Sequence, residues 1–444
     1  MGLPGASATR HLQASVAVAL LLVAAAMLFP VLTGEDVRVH APPLHADWDP
    51  SIGTGILVPL IVGVVLLAGW RLVVERLSWR WFLVASYVAA WAWPFSLAIS
   101  HGRDGFVRLY ERPGEYLYDA VRVRDVGQMM NEFVDRIPYA HPDNWHVHVA
   151  GHPPGALLTF IGFDRLGLDD PFWVGVTVMS IGATAVLGAL VTVRVLAGET
   201  WARWAAPWLA LAPIAIWMSH GDGLFMATGA WGIALLAVAC TRTSTGSRAT
   251  FGTGAGVVLG LCVYLSYGLV LLGILAVAVL WLTRRWSVLP WALGGALVVA
   301  AAFTIAGFAW WEAYPVLVER YDAGIARDRS YHYWVWANLA AWTFSVGLVT
   351  WAGLPAALAA VRRREPVAVL VVAGLATILL ATISGMGKAE VERIWMPFTL
   401  WILLAGALVP ARWRVPALAS QLLVGIAIEV LYVIPVLALA RSPI

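Results

Sequence analysis

Apolar runs long enough to cross a bilayer follow one another from residue 13 to residue 438, and they constrain the chain more than any other feature. None shows the period-two alternation of a membrane barrel. Each therefore reads as a helix that satisfies its own backbone groups. A soluble core has no use for a chain that is 61% hydrophobic and 12% charged. The expected fold is all-α: a polytopic membrane protein with about thirteen transmembrane helices. The runs fall near 13–32, 52–72, 81–99, 172–193, 204–219, 223–240, 251–265, 267–282, 289–310, 334–360, 367–383, 394–409 and 416–438. The first is too long for the core of a cleaved signal peptide and lacks a small-x-small cleavage site, so it reads as a membrane helix. A shorter stretch after Pro153 is interrupted by Asp164 and Arg165. It is too short to span and reads as a re-entrant or interfacial helix.

A single membrane domain over 1–444 is expected, with two extra helices within 1–80 ahead of a core over 81–444. No repeat of solenoid period is visible. Charge orients the chain. With the N-terminus on the cytoplasmic side, the inner segments carry fifteen arginines and only Glu75, Glu199 and Glu365 as acids. The net charge of +3 is too small to point to nucleic acid. Cys240 and Cys262 lie in apolar runs and offer no disulfide framework. Lys388 is the only lysine; arginine, which grips phosphate and carboxylate bidentately, supplies the other bases.

The polar exception is the outer loop 100–155. It holds eight acids, six arginines, His141, His146 and His148, and closes on Gly151-His152-Pro153-Pro154-Gly155. A segment of this length is too long for a connector. Between Pro113 and Pro138 the pattern predicts an amphipathic helix, with Glu115, Asp119 and Arg122 on one face. Two uses fit that face: a solvated, arginine-stitched surface, or a carboxylate that deprotonates a hydroxyl. Asp104 competes by position, as a base or as a marker of the water interface. The Pro pair starts a helix at His152. His146, His148 and His152 lack the spacing of a zinc site, so hydrogen bonding to a sugar or phosphate is the expected role. Asp222 stands between two spans on the side of the loop, either as an interface residue or as a site member. Glu429, within the last span, must be paired or protonated. A second outer loop, 312–333, interleaves Arg329 and Tyr331 with further Arg and Tyr, which fits phosphate and sugar contacts or aromatic anchoring. The turn Lys388-Ala-Glu-Val-Glu-Arg393 puts Lys388, Glu392 and Arg393 at the mouth of a span. It reads either as a clamp on a lipid phosphate or as a turn with snorkelling bases.

Across 81–398, the acid-bearing loop (Glu115-Tyr116 and Asp119), His152-Pro153-Pro154, Asp222 and the Glu392-Arg393…Pro397 turn together resemble the GT-C superfamily of polyprenyl-phosphate-sugar-dependent membrane glycosyltransferases. The resemblance implies that an acid of the first outer loop acts as base or positions the acceptor, and that a late basic residue holds the donor phosphate. The family's adjacent Asp-Glu is replaced here by Gly114-Glu115, which leaves the base open among Glu115, Asp119 and Asp104. The combination of short motifs is similar to an actinobacterial branch that includes methylthioxylose transfer to lipoarabinomannan caps. No Asp-x-Asp accompanies Asp222, so no obligatory metal or cofactor is expected. The expected partners are a polyprenyl-phosphate sugar donor, a cell-envelope glycan acceptor and membrane lipid. The expected place is the plasma membrane, with the active site outside. A multi-span transporter or lipid flippase is the rival class; paired repeats and broken helices would mark it. A non-catalytic envelope scaffold is a third.

Overall fold

The computed structural model describes residues 6–433. It is a helical bundle in which ten helices among the described residues are long and apolar enough to cross a membrane. They include Thr54–Arg76, Trp79–His101, Pro171–Ala197, Gly221–Thr241, Tyr331–Val361 and Ala411–Leu431. Local chemistry sets their ends. Helix Pro171–Ala197 begins where the Asp170 carboxylate accepts the Phe172 and Trp173 N–H groups, with proline at the first position, and stops at Gly198. It packs against Gly221–Thr241, which packs in turn against Thr245–Leu265.

Three of the thirteen expected spans are shorter or broken. The run 204–219 splits into helix Glu199–Ala210 and a 3-10 turn, Pro213–Trp217, because Pro213 cannot continue the ladder. The runs at 267–282 and 394–409 form shorter apolar helices, Tyr267–Thr283 and Met396–Leu408. The last run was expected to reach residue 438, but its helix ends at Leu431, where Tyr432–Val433 leaves it to pair with Asp47–Trp48 as a strand. Helix Tyr331–Val361 contains a break the sequence did not announce, at Gly347 (φ 67°). The Gln421 amide donates to the Val346 carbonyl beside it (2.8 Å), which re-satisfies the interrupted backbone.

The bundle has two chemically distinct ends. At one, Arg203 pairs with Glu199 (2.7 Å) and donates to the Val74 and Leu77 carbonyls. Arg364 lies over Trp281, and Arg414 over Trp204. The other end carries the polar loops. The expected amphipathic helix between Pro113 and Pro138 is not continuous. It is two short helices, Tyr116–Ala120 and Val126–Glu132, the second capped by Asp125. Arg122 leaves the acidic face and folds onto the Tyr118 ring. Helix Pro154–Arg165 has twelve residues and lies against the end of Thr245–Leu265. Arg320 binds the two outer loops together, donating to the Ile137 and Trp145 carbonyls. Cys240 and Cys262 are free and buried.

Candidate active site

The site forms where four stretches meet at the polar end. Glu115 precedes helix Tyr116–Ala120, and Asp119 sits one turn on; both are buried. Tyr116 anchors this helix. Its ring stacks on Phe160 (centroids 5.1 Å apart) and meets the His152 ring edge-on. Asp222 opens helix Gly221–Thr241, preceded by buried His220. Arg393 lies in the short helix Val391–Ile394. Ala389 and Glu390, both at positive φ, turn the chain into that helix.

Arg393 is the hub. Its Nη1 donates to Asp222 Oδ2 at 2.8 Å and its Nη2 to Glu390 Oε2 at 2.6 Å, and the side chain is almost wholly buried. Glu115 lies within its field. Burial raises the Glu115 carboxyl from its ordinary 4.5 to about 7; Arg393 pulls it back, while Asp222 and Glu390 push it further up. Burial alone would raise Glu390, but Arg393, His45 and Arg329 override it and hold that carboxylate well below the usual range. Burial raises Glu392 to about 7. His148 stands 3.7 Å from Glu115, and burial, assisted by Arg393, lowers its imidazole to about 3. His148 is thus a neutral neighbour of Glu115 rather than a counter-ion. His146 bonds Asp119 at 2.8 Å, and His152 bonds the His148 carbonyl at 2.8 Å.

The structure therefore brings together Glu115, Asp119, His146, His148, His152, Asp222, Glu392 and Arg393. Arg329 and Lys388 form its flank. Arg329 donates to the Lys388 carbonyl (2.8 Å), and the Lys388 ammonium is turned to the Ala326 carbonyl (2.9 Å). Two residues stay apart. Asp104 is exposed and pairs with Arg108 at 2.6 Å, and Tyr331 is exposed with its hydroxyl on the Ile383 carbonyl. Glu429 pairs with His101 at 3.2 Å, away from the hub. Sequence reasoning gave no site role to Glu390, His220 or His45. Glu390 lies within the Lys388–Arg393 turn and His220 stands two residues before Asp222, so both are neighbours of residues the sequence singled out. His45 belongs to the early segment 34–51, and nothing local hinted that its N–H would reach Glu392 (3.3 Å).

Several buried polar atoms here have no hydrogen-bond partner: Asp119 Oδ2, both His220 ring nitrogens, Arg329 Nε and Glu392 Oε2. Such atoms are costly unless something polar visits them. Among the described residues no three His, Cys, Asp or Glu side chains are grouped to hold a metal ion.

Neither a family profile nor a curated protein matches this sequence. Solved structures with a similar course of the chain include the Archaeoglobus fulgidus oligosaccharyltransferase in complex with Zn and sulfate. That pair is 14% identical with a TM-score of 0.49, covering 79% of this chain and 53% of that one. ArnT from Cupriavidus metallidurans bound to undecaprenyl phosphate is 17% identical, with a TM-score of 0.47, 79% of this chain and 63% of that one covered. The archaeal oligosaccharyltransferase AglB from Archaeoglobus fulgidus, with an inhibitory peptide and a dolichol-phosphate, is 14% identical, with a TM-score of 0.46 and coverages of 80% and 57%. The chain thus spans between about half and two thirds of the length of each.

Proposed function

We propose that this protein is a GT-C-type glycosyltransferase that moves a sugar from a polyprenyl-phosphate donor to a glycan hydroxyl. The reading rests on one observation: Arg393 is held between Asp222 and Glu390, with the buried Glu115 within its field. Glu115 takes the proton of the acceptor hydroxyl. The freed oxygen attacks the anomeric carbon from the face opposite the phosphate, and the bond from that carbon to the phosphate oxygen breaks. The polyprenyl phosphate leaves with the electron pair, its growing charge met by the Arg393 guanidinium. The configuration at the sugar inverts. Asp119 and His146 shape the acceptor side, and His148, kept neutral, stands beside the base at 3.7 Å. Asp104 has no part in the proposed mechanism; it is exposed and paired with Arg108.

The arginine-rich end faces the cytoplasm in this reading and the site opens outside, on the plasma membrane. The acceptor is a cell-envelope glycan of the arabinan, mannan or lipoarabinomannan type, and the short motifs point to methylthioxylose as the sugar. No obligatory metal takes part in this reading.

Arg393→Lys tests the core of this. Removing the charge outright would strand buried Asp222 and half-buried Glu390, at a cost of about 3–5 kcal/mol. Lysine keeps the charge and loses the fork. Transfer from a polyprenyl-phosphate sugar in membranes should fall by about a hundredfold while the protein stays folded, on the scale of losing one oriented transition-state donor. Near-normal transfer would remove Arg393 from the chemistry. The same assay in EDTA should lose nothing; a loss restored by a divalent cation would overturn the metal-free reading. Glycan analysis of a deletion strain identifies the sugar. Accumulation of a lipid inside vesicles with no covalent product would instead favour a flippase.

A further inference from the structure

The two acids on Arg393 are not equivalent. Asp222 is fixed in the first turn of a long buried helix, its side chain 6% exposed. Glu390 stands on a turn of positive φ, its side chain 26% exposed. Glu390 also has somewhere to go. Its Oε2 is on Arg393, but its Oε1 lies 3.8 Å from Arg329 Nη1 and 3.7 Å from His45 Nδ1, just beyond hydrogen-bond distance of either. Arg329 is buried, and its Nε has no hydrogen-bond partner. Meanwhile each terminal nitrogen of Arg393 already donates to a carboxylate. An incoming phosphate that grips both terminal nitrogens competes with these carboxylates for the guanidinium.

We infer that Glu390 is an exchangeable counter-ion: it occupies the phosphate's place on Arg393 in the empty protein and passes to Arg329 and His45 when a lipid phosphate arrives. This rests on the reading of Arg393 as the phosphate-binding group. The physical need is general. A buried guanidinium without a counter-ion is expensive, and so is a buried carboxylate released without a receiver. A site that must be stable both empty and loaded needs an anion that can move and a second cation to receive it. The arrangement also gives the early segment a function. His45 is held in position by its neighbours: Arg38 pairs with Asp328 (3.8 Å), Glu35 meets His332 (3.1 Å), and the Val37 carbonyl accepts the Trp334 indole N–H (3.3 Å). Strand Asp47–Trp48 pairs antiparallel with Tyr432–Val433. The stretch 34–51 thus carries part of the receiving site, and Arg329 and His45 are positioning residues acting through Glu390.

The test is a double-mutant cycle on the full chain in detergent, with undecaprenyl phosphate lacking any sugar as the probe and its dissociation constant as the readout. Arg329→Met should weaken binding about tenfold and His45→Ala about threefold, whereas in a Glu390→Gln background neither should matter, because a neutral amide needs no receiving cation. That coupling is what a merely structural role would not produce. Equal losses in both backgrounds, or no loss in either, would overturn the exchange. If Arg329→Met does not fold, the His45→Ala arm decides alone. Arg393→Lys separates the two levels. If it binds the probe as the wild type does, the phosphate reading fails and the inference with it. If it loses the probe while the cycle is additive, only the exchange fails.

Discussion

At the scale of the residue, the proposed chemistry turns on where the Glu115 proton goes. Its folded value of about 7, above the ordinary 4.5, means the folded protein holds that proton across a range where the unfolded chain has released it. The associated stability is present in full below 4.5 and is lost as pH rises through about 7. Glu115→Gln should therefore melt with the wild type near pH 5 and above it near pH 8. Equal melting shifts at both pH values would show that Glu115 is not proton-linked to folding. The catalytic consequence has the same midpoint: kcat/KM should climb through about pH 7 as the base ionises, and Glu115→Gln should lose about a hundredfold or more. Glu392 also stands at about 7, so Glu392→Gln serves as the control. If that variant abolishes the inflection, the base has been misassigned.

At the scale of the element, the breaks in the helices matter as much as the helices. Gly347 has positive φ, and a methyl group there would collide with the Gln421 side-chain oxygen. Gln421→Leu removes the donor that satisfies the buried Val346 carbonyl, at a cost of about 1–3 kcal/mol. Gly347→Ala and Gln421→Leu should each lower the melting temperature in detergent, and the double variant should lose less than their sum. Strict additivity would deny that they act on one break. Neither residue advertised this. Glycine is common in membrane helices, and a lone glutamine in a span could face any neighbour. Gly155 was more legible, because it closes the His152-Pro153-Pro154 motif. Its missing side chain lets helix Pro154–Arg165 rest on the Tyr264 carbonyl. The amphipathic pattern over 113–138 misled because it counted charges without weighing Pro113, Gly114 and the short helices that burial of Tyr116 and Met129 selects.

At the scale of the whole molecule, hydropathy made most of the spans readable, since a long apolar run has few other fates. Charged residues in so apolar a chain are conspicuous, so Asp222 and Arg393 could be picked out although 171 positions separate them. Their pairing could not be read, because it depends on how the bundle closes, and the same holds for His45. The proposed sidedness rests on the arginines. A single cysteine placed at exposed Asp135 should react with a membrane-impermeant thiol reagent in intact cells, whereas one at exposed Arg363 should react only after lysis. The reverse pattern would invert the topology and put the site on the cytoplasmic side. The small ladder between Asp47–Trp48 and Tyr432–Val433 carries a further consequence, one of timing. The stretch bearing His45 is synthesised well ahead of its strand partner. A nascent chain halted before residue 432 can insert the preceding helices and still lack the clasp.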